Sequence, residues 1–168
     1  MRTPVTKVLW LGQGITETLQ QEASRMAPYE TGGLLLGWST PDSICVTSIV
    51  GPGPSATHRR KSLLPDHKWQ SQELARAYEQ SGRRLSYLGD WHTHPGGSGF
   101  PSNRDKRTLR GIALHTDARC PSPVMLILGQ SSNGDWTPAA HLYIPCSFPR
   151  RWRVEEVPTR RADHLVGW

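Results

Sequence analysis

The chain has 168 residues, which is enough for one domain whose hydrophobic core needs neither disulfides nor a partner. Its 20 lysine and arginine residues outnumber its 14 acidic residues, which gives a formal net charge of +6. No apolar stretch approaches the roughly 20 residues of a membrane-spanning helix, and the N-terminal apolar run is too short for a signal peptide, so we expect a cytoplasmic protein without membrane contact.

The first part of the chain predicts a strand, a helix and two paired strands. The strand covers residues 5–11, and apolar residues at helical spacing predict a helix at Ile15–Met26. A glycine-bounded apolar run at residues 33–38 favours a buried strand, which can pair with the β-branched run 44–50. The glycine- and proline-rich segment 51–64 is expected to be a loop or an irregular edge strand.

A second helix is predicted at His67–Gln80, because Asp66 can accept a hydrogen bond at its start and Gly82 favours its end. The residues predicted to form its inner face are Trp69, Leu74, Ala77 and Tyr78. The remaining predicted elements are a strand at residues 85–94, a helix from Ser102 or Asn103 through Leu114, and strands at residues 124–128 and 136–144.

Strands that alternate with three helices indicate one α/β (α+β) domain, in which helices flank a mixed central sheet. We assign residues 1–145 to this domain. Residues 146–168 are rich in arginine, proline and tryptophan, and we treat them as a C-terminal extension whose packing the pattern does not define. Cys45, Cys120 and Cys146 are widely spaced with no Cys-x-x-Cys pair, so we expect them to be reduced thiols.

A pair of histidines at the end of a predicted strand carries the main chemical signal. Alternate residues of a strand point to the same face, so His92 and His94 leave it together while Trp91 points to the other face, into the expected core. Two imidazoles about 6–7 Å apart along a strand can converge on one cation. Asp105, carried back by the loop that follows, would complete three protein ligands. Three nitrogen and oxygen ligands with a fourth place for water is the composition of a catalytic zinc site.

Each part of this pattern also has a structural interpretation. A His-x-His pair on a strand is more often structural than metal-binding. Ser102 followed by Asp105 is the sequence of a helix capping box, and we expect capping and metal binding to compete for the Asp105 carboxylate. The combination of both features at this spacing favours the metal.

The combined pattern resembles the zinc motif of the JAB/MPN metalloproteases, which is called JAMM. That motif is an upstream Glu, then His-x-His-Pro, seven residues, Ser, two residues and Asp. Here seven residues separate His94 from Ser102, and two separate Ser102 from Asp105. Upstream, residues 30–33 (Glu-Thr-Gly-Gly) are similar to the family's Glu-x-Gly-Gly segment, and the resemblance covers roughly residues 28–144.

The resemblance implies a role for each motif residue. His92, His94 and Asp105 would bind Zn²⁺, with water as the fourth ligand. Glu30 would accept a proton from that water and pass it to the leaving amine, and Ser102 would help to hold the oxyanion. Without the rest of the motif, Glu30 would be interpreted as a solvated residue after a helix.

Members of this family act on ubiquitin-like conjugates or on small sulfur-carrier proteins, or they are inactive scaffolds. The intact ligand set argues against a scaffold. The compact length and the segments 51–54 and 87–91 resemble a bacterial subset that includes the deconjugating proteases of CBASS antiphage operons. In those systems a cGAS-like nucleotidyltransferase is joined through its C-terminus to a target, and the protease cuts that bond.

The resemblance therefore implies a zinc metallopeptidase, an isopeptidase similar to deubiquitinases. Its partner would be a protein substrate with an extended C-terminal tail, either a ubiquitin-like protein or a cGAS-like nucleotidyltransferase conjugate. Enzymes of this family usually bind that tail as an added strand beside the active site, and residues 51–64 could supply the edge.

Two other functions stay open. One is a JAMM peptidase for a sulfur-carrier protein or for cell-wall or phage-related peptides. The other is a non-enzymatic module that binds nucleic acid through the basic clusters at residues 58–61, 104–110 and 150–153. No finger, RNP or P-loop pattern supports nucleic-acid binding, so we expect these clusters to be a solvated surface.

Overall fold

A computed structural model describes residues 7–147 and 151–162. The strands are β1 (Val8–Leu11), β2 (Gly32–Ser39), β3 (Ser43–Val50), β4 (Thr57–Arg59), β5 (Ser62–Leu64), β6 (Ser86–His94), β7 (Val124–Gln130), β8 (Trp136–Pro145), β9 (Trp152–Val157) and β10 (Thr159–Arg161). The helices are α1 (Ile15–Met26), α2 (His67–Gln80) and α3 (Asn103–Leu114), followed by a short 3-10 turn at Thr116–Ala118. The prediction of a mixed sheet flanked by helices is confirmed.

The strand that carries the two histidines lies near the middle of the sheet. In the described residues the sheet has eight strands, in the order β10-β1-β3-β2-β6-β7-β8-β9. β6 is antiparallel to β2 and parallel to β7, so that His92 is level with Gly32 on one side and Ile127 on the other. Backbone pairing on both sides fixes the direction in which the side chains of β6 point.

The two faces of the sheet carry separate hydrophobic clusters. Leu126 of β7 packs in a cluster with Leu19 of α1, whereas its neighbour Ile127 packs in a cluster with Leu109 of α3. Because successive strand residues point to opposite faces, α1 and α3 cover opposite faces of the sheet. Trp91 is 1% exposed and belongs to the α1 cluster, which confirms its predicted place in the core. The residues on either side of Trp91 therefore face α3.

Helix α2 begins at the predicted Asp66 cap, but its inner face differs from the prediction. Tyr78, predicted to be on that face, is 42% exposed. The buried residue of the helix is Gln70, whose Nε2 donates to the carbonyl of Gly51 at 2.9 Å. The helix covers a loop with a backbone acceptor at this point, so an amide fits there better than an aromatic ring. Among the described helices, none combines the length and the apolar character needed to cross a membrane.

Residues 51–56 lack regular structure, as predicted, but residues 57–64 form a hairpin that was not predicted. β4 and β5 pair with each other through a tight turn and form a two-stranded sheet apart from the main one. The base of this hairpin is closed where Asp66 N donates to the carbonyl of Pro52 at 2.8 Å and Asp66 Oδ2 accepts from Ser55 N at 3.2 Å. The hairpin was missed because strands of three residues are too short to show a clear alternation.

The described part of the C-terminal extension continues the main sheet at both edges. β9 pairs antiparallel with β8, and β10 pairs parallel with β1. The predicted first strand is present from Val8 onward. Its first residues, Val5 and Thr6, lie outside the described residues, as do residues 148–150 and 163–168 of the extension.

Candidate metal centre

Two glycines of β2 allow the neighbouring strands β6 and β3 to approach β2 closely at the histidine end. A Cβ on Gly32 would overlap with the carbonyl oxygen of Trp91 and would lie 2.9 Å from the Cβ of His92. A Cβ on Gly33 would overlap with the carbonyl oxygen of Val50 in β3. Any side chain at these positions would push the strands apart, so the Gly-Gly pair allows β2 to pack closely between β6 and β3 just after residue 30.

The three predicted ligands come together at the end of β6 and the start of α3. The Nε2 atoms of His92 and His94 are 3.0 Å apart. Asp105 Oδ1 is 3.4 Å from Nε2 of His92, and Asp105 Oδ2 is 3.5 Å from Nε2 of His94. Zinc with ligands at about 2.1 Å in a tetrahedron has ligands about 3.4 Å from one another. The donor set and its spacing therefore fit a zinc ion.

Asp105 performs the capping and the converging roles together. Its Oδ2 accepts from the backbone N–H of Ser102 at 2.7 Å, and its own N–H donates to Ser102 Oγ at 3.2 Å. The other oxygen, Oδ1, faces His92. Because a carboxylate has two oxygens, the capping contact of Oδ2 leaves Oδ1 available to a metal, so the two uses need not exclude each other.

The charges of the site favour an ionised Asp105. Burial alone would raise the pKa of this carboxyl, but the close imidazoles of His92 and His94 outweigh burial and hold its pKa well below the usual range. The contact with Asp105 in turn raises the pKa of His94 against the effect of burial. A deprotonated carboxylate is the form that binds a metal, whereas protons compete with the metal for the histidine.

The ring of His94 is oriented by the loop that follows it. Its Nδ1 is 2.9 Å from the carbonyl oxygen of Ser98, which can only accept, so Nδ1 donates and Nε2 is left for the metal. Gln130 at the end of β7 holds this loop, since its N–H donates to the carbonyl of Gly97 at 2.8 Å and its Oε1 accepts from Gly96 N at 3.1 Å. The parallel neighbour of β6 thus supports the first turn of the loop.

Glu30 lies just before β2, beside the histidines. The next residue, Thr31, ties this segment to β6, because Thr93 Oγ1 accepts from Thr31 N and Thr93 N donates to the carbonyl of Thr31, both at 2.9 Å. Burial raises the pKa of Glu30, while the positive charges of His92 and His94 lower it, and the net shift is upward. A carboxylate with a raised pKa near the ligands has the properties of a general base.

Ser102 is exposed at the N-terminus of α3. Its Oγ already accepts the capping hydrogen bond from Asp105 N. A hydroxyl has one donor and two acceptor positions, so the hydroxyl hydrogen remains free to donate to a substrate oxygen. The predicted oxyanion role of Ser102 is compatible with its capping contact.

The sequence prediction did not include two buried polar contacts near the site. His141 of β8 is 2% exposed, and its Nε2 is 2.7 Å from the carbonyl oxygen of Gly99 in the loop after β6. On β6, two residues before His92, Asp90 accepts from the hydroxyl of Tyr87 at 2.7 Å. Burial raises the pKa of Asp90, although the Tyr87 hydrogen bond lowers it. A polar residue inside an apolar strand was the only sequence signal for either contact.

The three cysteines are free, as predicted. Burial raises the pKa of Cys45, and burial raises the pKa of Cys120 to about 11. Thiols with raised pKa values are poor nucleophiles at neutral pH, so these two residues do not support a cysteine mechanism.

Known proteins resemble this chain over most of its length. Residues 13–147 match the family model described as prokaryotic homologs of the JAB domain. A protein of Sinorhizobium fredii named as a probable metalloprotease is 40% identical over 159 residues, which cover 93% of this chain and 94% of that protein. A protein of Enterobacter hormaechei subsp. hoffmannii named CD-NTase/cGAS isopeptidase is 34% identical over 133 residues, which cover 74% of this chain and 68% of that protein.

The fold is also found among solved structures. The solution structure of a protein from Desulfitobacterium hafniense matches with a TM-score of 0.66 and 21% identity, over 94% of each chain. The resemblance to the JAMM metalloproteases and their bacterial CBASS-type subset is confirmed by the family match and by the named relatives. Membership of this class of enzymes argues against the alternative of a non-enzymatic module that binds nucleic acid. The chain belongs to the prokaryotic homologues of the JAB domain, and it is a metallopeptidase.

Proposed function

We propose that the protein is a zinc-dependent isopeptidase that releases a protein C-terminus from its conjugates in a bacterial antiphage system of the CBASS type. The observation that carries the proposal is the convergence of the donor atoms of His92, His94 and Asp105 within 4.8 Å of one another, with Glu30 beside them. A metal centre with a separate carboxylate base is typical of a hydrolase that uses water as its nucleophile. The relatives named as CD-NTase/cGAS isopeptidases support the substrate class.

In this proposal, His92, His94 and Asp105 hold zinc. Bound zinc would lower the pKa of its water and polarise the scissile carbonyl. Glu30 takes the proton of the water at its carboxylate and delivers it to the leaving amine. The hydroxyl of Ser102 donates a hydrogen bond to the carbonyl oxygen as negative charge develops there.

The substrate in this proposal is an extended protein tail rather than a folded loop. The metal ligands lie at a strand end, and the β4–β5 hairpin stands beside Glu30 as a small separate sheet. A free strand edge can bind an extended peptide through main-chain hydrogen bonds. The C-terminal tail of a cGAS-like nucleotidyltransferase, or of a ubiquitin-like protein, has the required extended form.

A conjugate with a defined scissile bond tests the proposal. The C-terminus of a cGAS-like nucleotidyltransferase is linked through an amide bond to a reporter, and the products are identified by mass spectrometry. We expect the zinc-loaded protein to cut immediately after the C-terminal residue of the tail, and the matched Glu30→Gln protein to leave the conjugate intact. Strong cleavage of sulfur-carrier conjugates or cell-wall peptides would overturn the proposal if conjugates of the nucleotidyltransferase tail and of a ubiquitin-like tail are both left intact.

A further inference from the structure

The β4–β5 hairpin holds both backbone polar groups of Glu30. The Glu30 N–H donates to the carbonyl of Arg59 at 2.8 Å, and the Glu30 carbonyl oxygen is 2.9 Å from Nδ1 of His58. The guanidinium of Arg60 lies over the ring of Tyr29, 6.0 Å from its centre. Three consecutive hairpin residues therefore contact the two residues that lead to the main sheet.

This contact occurs where the main sheet does not yet support the chain. β2 begins at Gly32, and the cross-strand hydrogen bonds to β6 begin with Thr31. Glu30 lies before both. Without the hairpin, the backbone N–H and carbonyl of Glu30 would form hydrogen bonds with water instead. The backbone from which the Glu30 side chain extends would then no longer be fixed.

The orientation of His58 suits its contact with the Glu30 carbonyl. It is half-buried, whereas its strand neighbours Thr57 and Arg59 are exposed, so its ring points inward from the hairpin. A carbonyl oxygen only accepts hydrogen bonds, so Nδ1 of His58 carries the hydrogen and donates it to Glu30. The anchored base of the hairpin, where Asp66 N donates to the carbonyl of Pro52, keeps His58 in place.

We propose that His58 is a positioning residue for the general base: its Nδ1–H fixes the backbone of Glu30 and thereby the carboxylate beside the metal ligands. The proposal rests on the proposed role of Glu30 as the base. His58 lies outside the ligand set and takes no proton in the reaction. A base misplaced by about 1 Å can cost on the order of 10²-fold in rate, so a backbone hydrogen bond at the base is a sensitive control point.

Three substitutions of His58 and one control substitution separate positioning from general support. His58→Ala removes the donor, and we expect kcat to fall by about 10- to 100-fold with little change in KM or in zinc content. His58→Asn places an amide nitrogen near the position of Nδ1 and is expected to restore most of kcat. His58→Gln carries its donor one bond farther out and is expected to stay impaired. His115→Ala, which changes an exposed histidine after α3, is the matched control and should keep normal kcat.

A measurement without turnover completes the test. The Glu30 amide donates to Arg59, and its exchange reports how firmly the whole segment is held against the hairpin. It should exchange slowly in the native protein and in His58→Asn, but faster in His58→Ala, where the contact to the Glu30 carbonyl is lost, while the Tm of the three stays close. Normal kcat in His58→Ala, or an Asn variant as impaired as the Ala variant, would overturn the proposal. Continued turnover by zinc-loaded Glu30→Gln would instead overturn the base role of Glu30, and positioning by His58 would fall with it.

Discussion

At the scale of single residues, the site depends on which atom of each side chain is already engaged. His94 uses Nδ1 to bind the carbonyl of Ser98, and Asp105 uses Oδ2 to cap α3. Each side chain therefore presents one remaining atom toward His92. Ligands that are held by other contacts lose little freedom when a metal binds, so the protein supplies much of the ordering before binding.

The ligand assignment predicts how zinc content depends on the histidines. We expect about one zinc per chain, and a loss of nearly all of it when His92 and His94 are both changed to Ala. The fold should survive, because β6 is held by backbone pairing on both sides. Elemental analysis measures the zinc, with His115→Ala as a matched histidine control. Unchanged zinc in the double variant would show that the site lies elsewhere.

Glu30 is predicted to be needed for turnover but not for binding the metal, because it lies outside the ligand set. Zinc-loaded Glu30→Gln should keep its zinc and Tm and lose detectable turnover. Near-normal hydrolysis by Glu30→Gln would remove Glu30 from the mechanism.

The effect of Ser102→Ala should be milder than that of Glu30→Gln, with kcat lowered by about 10²–10³-fold for the loss of one oxyanion donor. Because Ser102→Ala also removes the α3 cap, Ser102→Thr is the control that keeps both the hydroxyl and the cap.

The lowered pKa of Asp105 predicts the pH dependence of stability in the metal-free protein. A carboxyl whose pKa is lower in the folded than in the unfolded chain stabilises the fold above its unfolded pKa of about 3.9. That stabilisation is lost as the pH falls through the folded pKa. We therefore expect the acid-induced fall in Tm below about pH 4 to be smaller in Asp105→Asn, which keeps the capping acceptor without the charge. Equal slopes in the two proteins would contradict this cause.

At the scale of secondary-structure elements, α3 connects the hydrophobic core to the metal centre. Leu109 is fully buried against Met125, Ile127 and Tyr143, one helical turn beyond Asp105. We expect Leu109→Ala to lower the free energy of unfolding by about 2–5 kcal/mol and to weaken zinc binding as well. Leu114→Ala, at a position that is 64% exposed on the same helix, should change stability by less than about 0.5 kcal/mol. Chemical denaturation and zinc titration of both variants measure these effects, and normal zinc affinity in a destabilised Leu109→Ala would show that α3 does not transmit the packing to the site.

The sequence predicted those elements whose signals are local. The bounds of α1 and α3, and the common face of His92 and His94, follow from spacing and alternation within a few residues. The contact between His58 and Glu30 joins segments far apart in the chain, and no local pattern encodes it. The pairing of β10 with β1 is invisible in the sequence for the same reason.

At the scale of the whole molecule, the order of the strands determines what surrounds the metal centre. β6 lies inside the sheet, and α3 covers the face of the sheet opposite to Trp91. The hairpin lies beside Glu30 through its backbone contacts. Exposed basic residues flank the centre, with Arg59 in the hairpin and Arg104 next to Asp105. Arg104 is also close enough to lower the pKa of Glu30, against the larger effect of burial that raises it. The approach to the proposed active site is therefore bounded by the hairpin and by the start of α3.

This enclosure predicts a restriction on the substrate near the scissile bond. An extended tail that lies between the hairpin and α3 must pass its backbone close to the ligands, so the residues just before the cut should be small or flexible. We expect a proline placed one residue before the tail's C-terminal residue to lower kcat/KM by at least about 10-fold, because it removes a main-chain N–H and fixes φ. An alanine at the same place is the matched control and should be cut at nearly the normal rate. Equal cleavage of the proline and alanine tails would show that the tail does not bind as an added strand.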